Sequence, residues 1–136
     1  MIEALFLAIS PSYLMYMTIG VLLGLVVGTL PGLTATMGTA LLVPFTFALP
    51  TGEGIAMLGG LYVCAMFSDA IPACLVNTPG TPAAMATAFD GHPMVKQGRG
   101  QEAIVASFFS SARGTMCGAA CYLPVSYTHL RAHETL

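Results

Sequence analysis

Apolar residues run along this chain in long blocks, and polar residues are confined to short breaks between them. Between Glu3 and Glu53 there is no Asp, Glu, Lys, Arg or His; the next charge is Asp69, and none follows until Asp90. A helix needs roughly 20 apolar residues to cross a bilayer core, and the uncharged blocks are of that length. They predict helices over 13–30, from 33 to 49, over 55–76, from 83 to 89 and over 103–124, after a short apolar lead-in, 1–12, broken at Pro11. Pro50-Thr51-Gly52-Glu53-Gly54 predicts a turn, and 90–101, DGHPMVKQGRGQ, a polar loop. The fold class is thus an all-α integral membrane protein of several transmembrane helices, some broken into half-helices by Pro and Gly.

Within 13–30, Gly20, Gly24 and Gly28 recur at every fourth position and share one helix face. Such a ridge of small residues lets another helix backbone approach closely, and packing is its whole role.

Two breaks carry more chemistry. Pro31-Gly32 interrupts the first apolar region, and Asn77-Thr78-Pro79-Gly80-Thr81-Pro82 the second. The flanking strings LPGLTATM and TPGTPAAM share a register: Pro31 with Pro79, Gly32 with Gly80, Ala35 with Ala83, Met37 with Met85. Paired Gly/Pro-interrupted apolar segments point to a transporter binding site. A half-helix that starts inside the membrane leaves its first N–H groups unpaired, and their dipoles sum to roughly half a positive charge. A carboxylate is stabilised there without any basic side chain. Thr34, Thr36, Asn77, Thr78 and Thr81 add neutral hydrogen-bonding groups, and carbonyls freed by Pro31 and Pro79 offer ligands to a cation. The candidate substrate site is therefore Pro31, Gly32, Thr34, Thr36, Asn77, Thr78, Pro79, Gly80 and Thr81. Asp69 has two readings: a group coupling transport to a cation or proton, or a carboxylate at the interface near the end of its segment. Arg113 either reaches a headgroup or approaches a substrate carboxylate.

Composition narrows the class. Hydrophobic residues make up 56% and charged residues 7% of the 136 positions, against about a quarter charged in soluble domains. The net charge is −2 and there is no basic patch, which argues against a nucleic-acid partner. Cys64, Cys74, Cys117 and Cys121 form no C-x-x-C pair and lie in apolar segments, where they read as buried thiols. No metal or organic cofactor is called for.

The character changes after Pro124. Residues 125–136 are polar and hold two of the three histidines. The string VSYTHLRAHET resembles a translated sequencing adapter, so 1–124 are assigned to the protein proper and 125–136 to a read-through tail. His129, His133 and Glu134 are excluded as a metal site on the same ground.

The string GLVVGTLPGLTATMGTALLVPFTF, followed by AIPACLVNTPGTPAAMATAFDGHPMVKQGRGQEAI, resembles the large permease subunit of tripartite tricarboxylate transporters. The resemblance covers 13–111, and implies part of a transporter domain in a much longer, multi-pass protein of the bacterial inner membrane. It further implies a small membrane subunit and a periplasmic solute-binding protein as partners, an organic carboxylate such as citrate as substrate, and an Na⁺ or H⁺ gradient as the driving force. Pro31, Gly32, Thr34, Asn77, Thr78, Pro79 and Gly80 match its motifs. Two positions depart: Phe67-Ser68-Asp69 stands where the family often has two glycines and a serine, and Arg113 where a small residue is usual. The competing classes are a membrane-embedded enzyme using Asp69, Asp90 or His92, and a small structural membrane protein. No nucleophile–base pair or H-E-x-x-H signature supports the enzyme.

Overall fold

The computed structural model describes residues 10–134, with side chains as far as Thr128. The lead-in before Ser10 and the side chains of His129, His133 and Glu134 lie outside the described residues. Among the described residues six helices follow in order: α1 Pro11–Thr29, α2 Ala35–Thr46, α3 Thr51–Ser68, α4 Ala70–Val76, α5 Pro82–Lys96 and α6 Gly100–Glu134. No strand occurs among the described residues.

Among the described residues, two stretches are long and apolar enough to cross a membrane: Pro11–Thr29 and Thr51–Val76, the second being α3 and α4 taken together across their kink. Pro72 causes that kink. Lacking an N–H, it cannot bond the Ser68 carbonyl, and the ladder is carried past by Asp69 N–H to Ala65 O and Ala73 N–H to Asp69 O. α2, of 12 residues, is only ~18 Å long at 1.5 Å per residue. It is a half-helix.

The glycine ridge sets the main packing. Gly20, Gly24 and Gly28 are the buried residues of α1. A Cβ added to each would collide with the backbone at Met57, Leu61 and Ala65 of α3 in turn, and one on Gly60 with the Met17 carbonyl. Numbers rise together on both helices, so α1 and α3 run parallel. α2 returns between their ends: Gly38 lies against Val27 and Leu61, and Gly54 against Thr46. Leu42, Met57 and Leu61 form the core of this three-helix unit.

A second unit is built from smaller residues. Ala73 of α4 packs on Ala84 and Ala88 of α5. Gly91 fits against Cys74, whose carbonyl accepts from His92 Nδ1 (3.1 Å). α6 joins through stacked rings of Phe67 and Phe108, with centroids 4.4 Å apart. The interior is thus mostly glycine and alanine, while Leu22, Val26, Leu41, Phe45, Ile55 and Val63 face outward. That inverts the soluble pattern and suits a lipid surround, where close backbone packing replaces the hydrophobic effect between helices.

Three expectations are corrected. Residues 50–54 are not a free turn: α3 begins at Thr51 and Gly54 N–H bonds Pro50 O (3.0 Å). Most of 90–101 is helix, because the Cys74 contacts of Gly91 and His92 hold α5 together as far as Lys96 despite Pro93. Cys117 and Cys121 are exposed rather than buried, since that part of α6 has no packing partner among the described residues.

Candidate functional site

The first break is a local turn. Leu33 N–H bonds Leu30 O (3.2 Å), with Pro31 and Gly32 between them and Gly32 at φ 82. This is a type II turn, which wants Pro first and a positive φ second. Both residues are exposed, and Gly32 has open space where a side chain would go. Thr34 then caps α2, its Oγ1 accepting from Met37 N–H (3.1 Å). Thr36 points out to the surface.

The second break is built differently. Asn77, at φ 56 and ψ 33, ends α4 in the left-handed conformation, and its N–H reaches Pro72 O. Asn tolerates that region better than most residues. Asn77 and Thr78 are exposed, Pro79 and Gly80 half-buried and Thr81 buried. The chain doubles back so that α5 starts beside Asp69. Thr81 caps α5, its Oγ1 accepting from Ala84 N–H (3.3 Å).

Asp69 joins the second break to the kink. Its Oδ1 accepts from Gly80 N–H (2.8 Å), and its Oδ2 from Thr81 N–H (2.8 Å) and Thr81 Oγ1–H (2.6 Å). Asp69 is 2% exposed. A charge buried that deeply needs such partners, and no buried side-chain polar atom among the described residues lacks one.

The two breaks meet at Gly80. A Cβ there would strike the Leu33 carbonyl and lie 3.1 Å from Asp69 Oδ1. α2 leaves this point back along α3, and α5 leaves it along α4, from Thr81 at Asp69 to Gly91 at Cys74. Two helix N-termini therefore start side by side and run apart. Of the sequence-predicted residues, Gly80, Thr81 and Asp69 are in direct contact, Pro79 adjoins them in the chain, Thr34 follows the Leu33 that packs on Gly80, and Pro31, Gly32, Thr36, Asn77 and Thr78 form the exposed edge. Sequence reasoning missed Leu33, whose carbonyl is the bridging contact, and Ser68, whose Oγ donates to Cys64 O (2.8 Å) under Gly28. Neither carries a motif; the small residues facing them are the available signal.

Elsewhere, Asp90 is exposed on an open cleft of about 450 Å³ between α3, α5 and α6 that includes none of the break residues. Asp69, Asp90 and His92 share no hydrogen bond, and no cluster fit for a metal exists among the described residues. Arg113 is exposed on α6.

Comparison with known proteins bears on this arrangement. An uncharacterized 52.8 kDa protein in the TAR-I ttuC' 3' region of Agrobacterium vitis is 34% identical over 128 residues, which is 91% of this chain and 26% of that protein. The chain thus spans about a quarter of the relative's length. No solved structure matches. The profile of the Tripartite tricarboxylate transporter TctA family matches residues 14–132, past Pro124 and through both breaks. With nearly the whole chain matched, this protein belongs to the tripartite tricarboxylate transporter TctA family.

Proposed function

We propose that the chain forms part of the membrane permease subunit of a tripartite secondary transporter that imports tricarboxylates or related small carboxylates. In this reading it lies in the bacterial inner membrane as a multi-pass protein and draws on an Na⁺ or H⁺ gradient. It works with a small membrane subunit and a periplasmic solute-binding protein. One observation carries the reading: the start of α2 meets the second break where Leu33 packs on Gly80, which brings the exposed residues of both breaks to one place. A helix start favours an anion, and Thr36, Asn77 and Thr78 offer exposed hydrogen-bonding groups around it.

The test uses the full-length permease with its partners. Asn77→Gly keeps the left-handed backbone and removes the amide side chain. A lost hydrogen bond to a charged partner costs about 1.5–3 kcal/mol, so KM for citrate uptake should rise roughly tenfold or more with membrane abundance unchanged. Leu22→Ala, on the outward face of α1, is the control. If Asn77→Gly and the control transport alike at every citrate concentration, the breaks are kinks and not a site.

A further inference from the structure

Asp69 is the one buried charged side chain among the described residues. It sits just ahead of α5, and all three of its partners, Gly80 N–H and the N–H and Oγ1–H of the capping residue Thr81, are donors. A helix start offers this kind of setting to an outside anion. Here the position already holds a carboxylate, delivered by the chain itself from the α3–α4 kink. The surroundings are shaped to keep it. Gly80 has no side chain because one would meet both Leu33 O and the carboxylate. The Thr81 hydroxyl donates to Asp69 and accepts from Ala84 N–H, so one group serves the charge and the helix cap together.

We propose that Asp69 is a tethered anion. It fills the carboxylate position at the start of α5, fixes the second break against the first, and keeps external carboxylates away from that terminus. A ligand carboxylate is then read by the start of α2 and the exposed edge at Asn77 and Thr78. Asp69 thereby sets how many carboxyl groups the site receives. Only these last two statements rest on the carboxylate reading above. The role is also distinct from ion coupling, because the oxygens are held by donors and not by groups that would share a cation.

Formate, the smallest carboxylate, tests this in the full-length protein. Asp69→Gly removes the side chain and leaves three donors facing a hole. Its melting temperature in detergent should fall by several degrees in sodium chloride. It should recover when sodium formate replaces chloride at equal ionic strength, while the wild type does not respond. Asp69→Asn fills the same volume but turns an N–H toward donors, so it should melt low and ignore formate. The proposal is overturned if folded Asp69→Gly responds to formate no more than wild type does. It is equally overturned if Asp69→Asn melts with the wild type, an outcome readable even where Asp69→Gly cannot be recovered. Recovery by formate without carboxylate uptake by the wild type would remove the transport reading and leave the tethered anion standing; uptake without recovery would do the reverse.

Discussion

The two breaks look alike in sequence and are held by different forces. The first, around Pro31 and Gly32, is closed by its own turn and would keep its shape with little help from elsewhere. The second, from Asn77 to Thr81, is closed from a distance by Asp69, with Gly80 packed against the Leu33 carbonyl. The same Pro-Gly pair also does different jobs. Gly32 supplies a positive φ in open space, whereas Gly80 supplies the absence of a side chain in a crowded one. A Pro-Gly interruption therefore says where a helix stops, not what stops it.

The largest effect that could break this comparison comes from leucine at each glycine. Gly80→Leu must displace the Leu33 backbone and should cost about 3 kcal/mol or more, enough to lower the yield of folded full-length protein. A Cβ on Gly32 has nothing within 4 Å, so Gly32→Leu should cost only about 1–2 kcal/mol, from its left-handed φ. Thermal melting of both in detergent decides it, and a worse Gly32 variant would invert the assignment of local and distant support.

Next come the caps. Thr34→Ala loses one capping bond, about 1 kcal/mol. Thr81→Ala loses its cap and a bond to a buried carboxylate, for about 3 kcal/mol in total. Equal melting temperatures for the two would mean that Asp69 does not hold the second break. Smaller still is the exchange of left-handed residues: Gly32→Asn should cost under about 1 kcal/mol, since Asn visits that region readily, and chemical denaturation should place it close to wild type.

The smallest effect is reserved for Glu102→Gln. A hydrogen bond from Arg99, and then its charge, hold the Glu102 carboxyl below its ordinary value. A lowered carboxylate contributes stability above its unfolded pKa and loses it as pH falls through the folded one. This pair is exposed at both ends, so solvent screening should erase the benefit. The melting temperature of Glu102→Gln should match wild type from neutral pH down through the carboxylate range. A clear drop would show that an exposed pair matters here as much as the buried clasp.

Much of the helical layout was legible because its causes are local. The Gly20–Gly24–Gly28 face, the stop at Pro31-Gly32 and the stop at Asn77 all follow from residues acting on their own neighbourhood. The miss at 90–101 has the opposite cause. Gly91 and Pro93 mark a loop by propensity, yet contacts to Cys74 keep the helix going. The register of the two breaks also shifts. Matching Pro31 with Pro79 aligns Thr34 with Pro82, whereas the caps pair Thr34 with Thr81. For the candidate site, hydroxyl and amide neighbours could be named in advance. That Asp69 would bond Gly80 and Thr81 could not, because the contact depends on the chain doubling back after Val76.

The parallel course of α1 and α3 bears on how the chain is threaded. Helices that point the same way must enter a membrane from the same side. If α1 crosses the bilayer, Ser10 and Pro50 emerge on one face, and residues 30–50 have made the whole return journey. Their helix is only 12 residues, ~18 Å of a core about 30 Å thick. The turn at 30–33 before it and the turns through Ala48 and Leu49 after it complete the path. α2 is too short to be inserted by its own greasiness. Its place between α1 and α3 is held by the contacts of Gly38 with Val27 and Leu61 and of Thr46 with Gly54.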